Sequence, residues 1–500
     1  MGETKADNLS SGKRLGRDTL VYGLAFVLSR AASFIMLPVY TRYLSTSDYG
    51  TLHLLQMSVD VASILLSAGV TAGVHRYYFK EDSDSQRNAV LVVSLLMLVG
   101  FNILGTLLLY AFADTVAVSL LNDASQAGLV RIAATSFTLD GLIVVPMLLL
   151  QVRQRSLAYS AASIARLVLQ LSLNILFVVF LLEGVRGILI STLITNSVIG
   201  LGMTVWMFRE TGFSLGKKLA GPLFRFGLPY RVTAAGAFVL TYADRFFLNE
   251  ARGLSDTGIY SLAYQFGFLL MYLGPAPFHL AWDPQRFQLV DRPRAERDAA
   301  YQQGFLYFSL LLVTLAVGIS LFVRPMLSVM SAPEFHPAAD VVPLIMVGFL
   351  CQAWGQVMEF GIQVSERTTW TSVGTWISVG VILLLYSVLI PQFGMWGAAL
   401  ATVGGFGTRW ICFGIAAQRL FPITYGLGRA AALVAVGAVA VGASYIVAAD
   451  GLLPQLAAAT SLTLVYFVGV WFAVLRAEER ATIVEFGGQI VGKARGILGA

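Results

Sequence analysis

The chain has 500 residues, of which 57% are hydrophobic and only 12% charged, and its formal net charge is +6. Soluble domains carry about 25% charged residues, so this composition excludes a water-soluble protein and predicts one that crosses a membrane several times. The two cysteines, Cys351 and Cys412, lie in apolar runs, and their spacing excludes a disulfide framework and a zinc site.

The first predicted membrane span covers residues 18–43 and carries Arg30 near its middle. A bilayer core about 30 Å thick needs roughly 20 helical residues, which places Arg30 close to mid-membrane. A charge there costs about 2.5–3.5 kcal/mol on insertion scales, so we expect a polar interior that receives it. The span lacks a cleavage site of small residues and is too long for a signal peptide. We therefore expect residues 1–16 to be a disordered cytoplasmic segment before a retained first helix.

Apolar runs of 18 or more residues predict an all-α polytopic protein with fourteen membrane spans. After the first, their rough boundaries are 48–75, 88–112, 127–150, 158–182, 185–208, 219–243, 256–281, 301–323, 339–363, 369–390, 394–418, 426–448 and 452–475.

The distribution of Lys and Arg predicts the orientation of these spans. With the N-terminus placed in the cytoplasm, basic residues in the inside segments outnumber those outside by more than four to one. The basic residues of the outside segments are Arg42, Arg186, Arg245, Arg252 and Arg324. This asymmetry follows the positive-inside rule, so we expect both termini in the cytoplasm and no nucleic-acid partner. After the last span, apolar residues at helical spacing predict an amphipathic surface helix within 477–500, with a disordered tail as the alternative.

Two short motifs occur twice along the chain. STSDYGTL (45–52) resembles GLSDTGIY (253–260) at an offset of 208, and GVRGILIST (184–192) resembles GMWGAALAT (394–402) at an offset of 210. Each pair occupies the same place in the helix count, which indicates two duplicated halves with the same topology. The sequence thus predicts a six-helix N-terminal lobe at 17–210, a six-helix C-terminal lobe at 211–422 and two added helices at 423–476. A parallel repeat of this kind favours a pathway between the lobes and alternating access.

Seven charged residues lie deep in the predicted spans, where lipid cannot solvate them: five are close to mid-span, and Arg166 and Glu359 are in the inner half. The seven are Arg30, Asp60, Asp140, Arg166, Arg231, Glu359 and Arg409. Arg30 and Asp60 share a depth on adjacent helices and could be a structural ion pair. Arg231 and Arg409 have no evident acid at equal depth in their half, so they are the stronger candidates for substrate contact.

The chemistry of arginine suggests an anionic substrate. Its planar fork donates two charge-assisted hydrogen bonds to a phosphate. We therefore predict substrate binding by Arg30, Arg231, Arg409 and Arg166. The three acids, Asp60, Asp140 and Glu359, are predicted to serve in ion coupling or in structural pairs.

Further polar residues suggest a gate and a sugar-binding surface. His75 with Arg76, and His279 with Asp283, lie at the predicted cytoplasmic ends of the second and eighth helices, which are equivalent places in the two halves. They could form an inner gate, and the alternative is that they anchor the helices at the interface. Polar side chains suited to sugar hydroxyls are Gln170, Asn174, Gln265, Gln352 and Gln356.

No catalytic constellation is visible: the chain has no P-loop and no HExxH motif. We therefore expect no cofactor and no enzyme, and transport driven by protons, sodium or the membrane potential. The enzymatic alternative, a membrane polysaccharide polymerase or ligase, generally needs a large outer loop, and no predicted loop has that size.

The stretch LSRAASFIMLPVYTRYLSTSDYGTLHLLQ (28–56) resembles the opening of the polysaccharide-unit flippases of the multidrug/oligosaccharidyl-lipid/polysaccharide (MOP) exporter superfamily. The residues that carry the resemblance are Arg30, Pro38, Tyr40, Arg42, Leu44, Tyr49 and Gly50. LPYRVTAAGAFVLTYADRFFL (228–248), which ends in Asp244-Arg245-Phe246, is similar to the seventh helix of that family, and GVRGILIST to the start of its sixth. The resemblance spans residues 17–420 in order and is specific to the family rather than to a substrate.

This resemblance implies a V-shaped MOP-type fold, with two six-helix lobes around a cationic cavity and two extra helices. It implies a flippase that moves undecaprenyl-pyrophosphate-linked oligosaccharides from the cytoplasmic to the outer leaflet of a bacterial or archaeal inner membrane, for polysaccharide biosynthesis. Its partners would be that lipid, the bilayer and other polysaccharide-assembly proteins. The extra helices form a lipid-tail groove in the related lipid II flippases, which suggests the same role here. The alternative is a cation-coupled drug or metabolite antiporter of the same superfamily, with Asp60 and Asp140 as its ion site.

Overall fold

The computed structural model describes residues 34–480, except 68, 217–218 and 448–450, and these residues form helices without any β-strand among them. In chain order we number the helices α1 (34–43), α2 (Thr46–Ser67), α3 (Val70–Lys80), α4 (Asp84–Ala111), α5 (Ala113–Leu121), α6 (Ala127–Val152), α7 (Ser156–Ile175), α8 (Gly184–Thr211), α9 (Ala220–Tyr242), α10 (Asp244–Arg252), α11 (Leu254–Leu273), α12 (Pro275–Gln288), α13 (Arg294–Met330), α14 (Ala338–Val364), α15 (Thr369–Phe393), α16 (Met395–Leu420), α17 (Leu427–Ile446) and α18 (Leu452–Ala473).

The chain forms two compact units that interleave along the sequence. The first unit consists of Met1–Gln265, Met330–Val341 and Thr369–Arg409, and the second of Phe266–Val329, Val342–Thr368 and Trp410–Ala500. The predicted boundaries of two six-helix lobes and a C-terminal pair stay a prediction.

Ten of the described helical segments are long and apolar enough to cross a bilayer. They are Asp84–Ala111, Ala124–Val152, Ser156–Phe180, Gly184–Thr211, Arg294–Met330, Pro333–Val364, Thr369–Phe393, Met395–Leu420, Leu427–Ile446 and Leu452–Ala473. The predicted total of fourteen spans is not confirmed by this count. The four predicted spans outside it are 18–43, 48–75, 219–243 and 256–281, which are the first two of each predicted half.

Two of those four spans are each broken into a pair of helices. The span predicted at 48–75 breaks between α2 and α3 at Gly69, whose φ of +90° favours glycine. The span predicted at 256–281 breaks between α11 and α12 at Gly274, followed by Pro275, which cannot continue the hydrogen-bond ladder of a helix. Interrupted helices at matching places in two repeats are a mark of the substrate pathway in repeat transporters.

The first pair of repeated motifs brings α2 and α11 into contact within the first unit. The hydroxyls of Thr46 and Ser255 are 2.8 Å apart. A Cβ on Gly50 would overlap the carbonyl oxygen of Leu254, and a Cβ on Gly258 would overlap that of Thr46. The glycine of each motif therefore allows the backbones of the two helices to touch.

The second pair of repeated motifs makes matching turns. Gly184 and Gly394 have φ values of +53° and +55°. Gly184 is the first residue of α8, and Gly394 directly precedes α16. Gly184 lies beside Leu44, and Gly394 lies beside Arg252. Leu44 and Arg252 each lie just before a copy of the first motif, so the two halves repeat a contact as well as a sequence.

In the first unit, α6 packs between α4 and α8. The Asn102 amide on α4 donates to the Phe137 carbonyl at 2.9 Å, beside Gly141, and Gly200 on α8 lies against the Leu139 carbonyl. Small residues and side-chain amides of this kind hold membrane helices together, because they permit close backbones and satisfy polar groups.

In the second unit, α17 and α18 pack on each other and on α13. The hydroxyls of Tyr466 on α18 and Thr314 on α13 lie 3.1 Å apart, and the Arg324 guanidinium of α13 stacks over Tyr445 of α17 at 4.5 Å. The lipid-tail groove suggested for this pair stays a prediction.

An ion pair ties the start of α17 to the chain that follows α18. Glu479 accepts bonds from the Arg429 guanidinium at 2.6 Å and from the Arg476 amide at 2.9 Å. Burial alone would raise the pKa of Glu479, but these two bonds outweigh it and hold the pKa below the ordinary 4.5. Only residues 477–480 of the predicted amphipathic tail are described, and they are helical.

The lowered pKa predicts a pH dependence of stability. A carboxylate whose pKa is lower in the folded state stabilises the fold fully above its unfolded pKa and loses that contribution as the pH falls below it. We expect Glu479→Gln to lower the free energy of unfolding by about 1 kcal/mol at pH 7. Thermal unfolding in detergent at pH 7 and pH 4 measures this, and the difference between variant and wild type should shrink at pH 4. A constant difference would contradict the assignment.

Candidate functional site

The first unit encloses a cavity of about 700 Å³, which we call the first-unit cavity. Its lining comes from α1, α2, α6, α7, α8 and α11. The polar members of that lining are Tyr40, Tyr49, His53, Gln56, Gln151, Tyr159, Ser163, Arg166, Gln170, Asn174 and Gln265. A volume of this size is typical of sites for ligands as large as a drug molecule or a cofactor.

Helix α7 supplies the largest share of this polar lining. Its polar residues at 159, 163, 166, 170 and 174 follow one another at spacings of three or four, which places them on one helical face. Apart from three serines, the rest of α7 is apolar, and the segment Ser156–Phe180 is long and apolar enough to cross a bilayer. A polar stripe on a membrane helix needs water or protein beside it, and here it faces the cavity.

Arg166 is the only residue with a permanent charge among the described residues that line the cavity. Its Nη2 donates to Asp140 Oδ1 at 2.6 Å and to Asn196 Oδ1 at 3.0 Å. The Asn196 amide is itself held by the Ser136 carbonyl at 3.1 Å. The side chains of Arg166 and Asp140 both keep 41% exposure, so this ion pair is open rather than sealed.

Neutral amide and hydroxyl groups continue the polar face beyond Arg166. The Asn174 amide donates to the Tyr40 hydroxyl at 2.7 Å. The Gln170 amide donates to Asn174 Oδ1 at 3.1 Å and to the Thr192 hydroxyl at 3.3 Å. A network of this kind fixes its donors and acceptors in place, which suits a ligand rich in hydroxyl groups.

Of the five polar residues predicted to contact sugars, three line this cavity and two do not. Gln170, Asn174 and Gln265 are in the lining, whereas Gln352 and Gln356 lie on α14 in the second unit.

Helix α2 adds an aromatic edge that the sequence analysis missed. Tyr49, His53 and Gln56 lie on one face of α2, and the rings of Tyr49 and His53 meet edge to face at 4.6 Å. Phe335 packs against Tyr49 at 5.7 Å. The helical spacing of these polar residues in an otherwise apolar run was a readable signal.

A second ion pair in the first unit is fully buried. Asp244 and Arg245 are 0% and 1% exposed, and their side chains are 2.7 Å apart. The Tyr260 hydroxyl donates to Asp244 at 2.8 Å, and the Tyr264 ring lies 3.9 Å from the Arg245 guanidinium. The sequence analysis places Arg245 in an outside segment, and its side of the membrane stays a prediction. The structure adds that α10 follows α9 directly, which buries the Arg245 side chain between helices.

Two of the arginines predicted to bind substrate lie away from the first-unit cavity. Arg231 on α9 is 8% exposed, and its guanidinium stacks over Phe224 at 4.4 Å and Phe101 at 5.3 Å. Arg409 is half-buried on α16. Neither lines the cavity, and their contact with substrate stays a prediction.

Two of the remaining predicted charges can be placed, and one cannot. Arg30 lies outside the described residues, so its predicted pairing with Asp60 does too. Asp60 itself is exposed on α2, and Glu359 is half-buried on α14 in the second unit.

The residues predicted to form a cytoplasmic gate have local partners. His75 and Arg76 are exposed on α3, and the Arg76 guanidinium lies 4.6 Å from the Phe226 ring. His279 Nδ1 lies 3.0 Å from Asp283 Oδ1 on α12. The first pair belongs to the first unit and the second pair to the second unit, and the gate stays a prediction.

Comparison with known proteins identifies relatives of this chain. The polysaccharide biosynthesis protein family matches residues 15–281. An uncharacterized membrane protein of Methanocaldococcus jannaschii is 22% identical over 209 residues, and the match spans 41% of this chain and 40% of that protein.

Solved structures show the same fold. The lipid II flippase MurJ, in an inward closed conformation, matches 91% of this chain and 100% of its own with a TM-score of 0.69 and 11% identity. An inward-facing multidrug resistance MATE family transporter of the MOP superfamily matches 78% of this chain and 94% of its own with a TM-score of 0.61 and 15% identity. This chain is thus a multi-pass membrane protein with the MOP fold, and it belongs to the polysaccharide biosynthesis protein family.

Proposed function

We propose that the protein is a flippase for undecaprenyl-pyrophosphate-linked oligosaccharides, which it moves from the cytoplasmic to the outer leaflet of a bacterial or archaeal inner membrane. The observation that carries this proposal is the first-unit cavity, where one arginine stands among neutral amides, hydroxyls and aromatic rings. Membership of the polysaccharide biosynthesis protein family and the fold shared with a lipid II flippase support it.

The chemistry of the lining matches the two parts of such a headgroup. The Arg166 guanidinium suits a phosphate, because its planar fork can donate parallel charge-assisted bonds. Gln170, Asn174 and Tyr40 suit sugar hydroxyls, which both donate and accept hydrogen bonds. The prenyl tail needs no place in the cavity, because the surrounding lipid solvates it.

The membrane potential supports the direction of transport. In this proposal both termini lie in the cytoplasm, and the headgroup moves outward. A negative charge that crosses outward in an inside-negative potential is favoured by about 2.3 kcal/mol per 100 mV. A pyrophosphate with two such charges would be driven outward without a nucleotide, unless protons or sodium ions compensate its charge.

The antiporter alternative receives support from the MATE-like fold but less from the cavity. A cation-coupled site needs an acid that can take up the ion. Asp140 already holds the guanidinium of Arg166 at 2.6 Å, so this acid carries a cation supplied by the chain itself.

Reconstituted vesicles test the proposal. We expect Arg166→Ala to lower the flipping rate of a labelled undecaprenyl-pyrophosphate oligosaccharide more than tenfold. Among the described residues that line the cavity, Arg166 is the only one with a permanent charge, and this variant removes it. Arg186→Ala is the matched control, because Arg186 is 62% exposed and its only ion-pair partner among the described residues is Glu183, one turn away. This variant should flip the substrate at the wild-type rate. Wild-type flipping by Arg166→Ala would show that the cavity is not the substrate site. Deletion of the gene should cause one lipid-linked glycan to accumulate on the cytoplasmic face, which identifies the substrate.

A further inference from the structure

Two ion pairs of the first unit, Asp244 with Arg245 and Asp140 with Arg166, differ in the exposure of their side chains. Asp244 and Arg245 are sealed, with 0% and 1% of their side chains exposed. Asp140 and Arg166 are open, with 41% exposure for each side chain, and Arg166 lines the cavity. A sealed pair cannot exchange partners without opening the fold, whereas an open pair can.

The hydrogen bonds of Arg166 use one nitrogen for both of its partners. Nη2 donates to Asp140 and to Asn196, and among the described residues no hydrogen bond involves Nε or Nη1. A guanidinium has two edges that can donate a parallel pair of bonds, Nη1 with Nη2 and Nε with Nη2. Both edges include Nη2, and its two hydrogens are donated to Asp140 and Asn196. A bidentate bond to a phosphate therefore requires that one of these two residues leaves Nη2.

Charge decides which partner leaves. Asn196 is neutral and is anchored to the Ser136 carbonyl, so it can stay beside a bound anion. The Asp140 carboxylate would lie next to an incoming phosphate, and two like charges at such a distance repel each other.

We propose that Asp140 is a displaceable resident anion, which occupies Arg166 in the empty cavity and is replaced there by a phosphate of the substrate. The inference rests on the proposed function. It assigns Asp140 a role in substrate selection. A substrate anion must displace a carboxylate that lies 2.6 Å from Arg166 Nη2, and a multiply charged diphosphate does this more readily than a monophosphate. It also assigns Asp140 a role in release, because its return to Arg166 frees the phosphate.

The competing interpretation is that Asp140 merely orients Arg166 for binding. The two interpretations predict opposite effects of removing the carboxylate charge. If Asp140 competes with the substrate, Asp140→Asn tightens binding. If Asp140 orients Arg166, the same variant weakens binding.

Binding to the full-length protein in lipid nanodiscs separates these outcomes, with undecaprenyl diphosphate and undecaprenyl monophosphate as probes. We expect Asp140→Asn to lower the Kd for the diphosphate at least tenfold. The ratio of the Kd for the monophosphate to the Kd for the diphosphate should also fall. The flipping rate at saturating substrate should fall in this variant, because release is slower, so that KM and maximal rate fall together. A merely structural role would not improve affinity.

Asn196→Asp provides the opposite test and covers the case that Asp140→Asn does not fold. It places a second carboxylate at hydrogen-bond distance from Nη2 of Arg166, so we expect the Kd for the diphosphate to rise about tenfold. Weaker or unchanged binding by a folded Asp140→Asn, or unchanged binding by Asn196→Asp, would overturn the displacement. Unchanged binding by Arg166→Ala would instead overturn the proposed substrate site, so the two failures are distinguishable.

Discussion

Asp244→Ala is expected to lower the free energy of unfolding by about 3–5 kcal/mol, because it leaves the Arg245 guanidinium buried without its carboxylate. Arg245 is 1% exposed, and its remaining partners are the Thr241 carbonyl at 2.8 Å and aromatic faces such as that of Tyr264. These neutral groups cannot replace a charge. The Tyr260 hydroxyl also loses its carboxylate acceptor and keeps only the longer contact of 3.4 Å to the Thr402 hydroxyl among the described residues. Thermal or denaturant unfolding in detergent measures the loss.

A matched control breaks an exposed ion pair in the same unit. Asp114 lies 3.2 Å from Arg131 and is 73% exposed, so Asp114→Ala should change stability by no more than about 1 kcal/mol. The double variant Asp244→Leu with Arg245→Met removes both charges and should recover much of the loss, since buried pairs can often be exchanged for apolar residues of similar volume. Equal unfolding midpoints for Asp244→Ala and Asp114→Ala would contradict the assigned burial.

Gly258→Ala is expected to separate the ends of α2 and α11 and to lower the free energy of unfolding by about 1–3 kcal/mol. The new methyl group would overlap the Thr46 carbonyl oxygen, which belongs to a helix backbone and cannot rotate away. Relief requires that the two helices move apart, which breaks the bond between Thr46 and Ser255. We expect flipping to slow as well, because these helices flank the breaks that precede α3 and α12.

Disulfide crosslinking measures this separation directly. Thr46→Cys with Ser255→Cys, in a chain whose two native cysteines are replaced, should crosslink efficiently, and the addition of Gly258→Ala should reduce the yield. Gly442→Ala is the control, because a Cβ there meets nothing within 4 Å. Undiminished crosslinking with Gly258→Ala would show that the close approach is wrong.

Much of the fold and part of the site could be predicted from the sequence. The apolar runs located the ten helices that can cross a bilayer, and the two repeated motifs located two contacts that the structure shows. The polar stripe on α7 could have been found in full, because its members recur at helical spacing. Only Arg166, Gln170 and Asn174 of that stripe were singled out.

The pairing of Asp140 with Arg166 was also within reach of the sequence. Arg153 begins the short turn between α6 and α7 and lies midway between the two residues, so they share a depth on adjacent antiparallel helices.

Other features could not be read from sequence patterns. The burial of Arg245 depends on rings from α9 and α11, which lie close only after folding. The break at Gly69 depends on packing, since a glycine inside an apolar run is also tolerated by an unbroken helix.

The contact between α2 and α11 has the reciprocity of a homodimer interface. Gly50 contacts the carbonyl of Leu254, and Gly258 contacts the carbonyl of Thr46. At the offset of 208, Gly258 is the counterpart of Gly50, and Leu254 is the counterpart of Thr46. Such an isologous arrangement places a local twofold axis between the two glycines. A substitution of the glycine in either copy of the motif therefore disturbs the same helix contact. This single polypeptide thus contains an interface of the kind that two identical subunits would form.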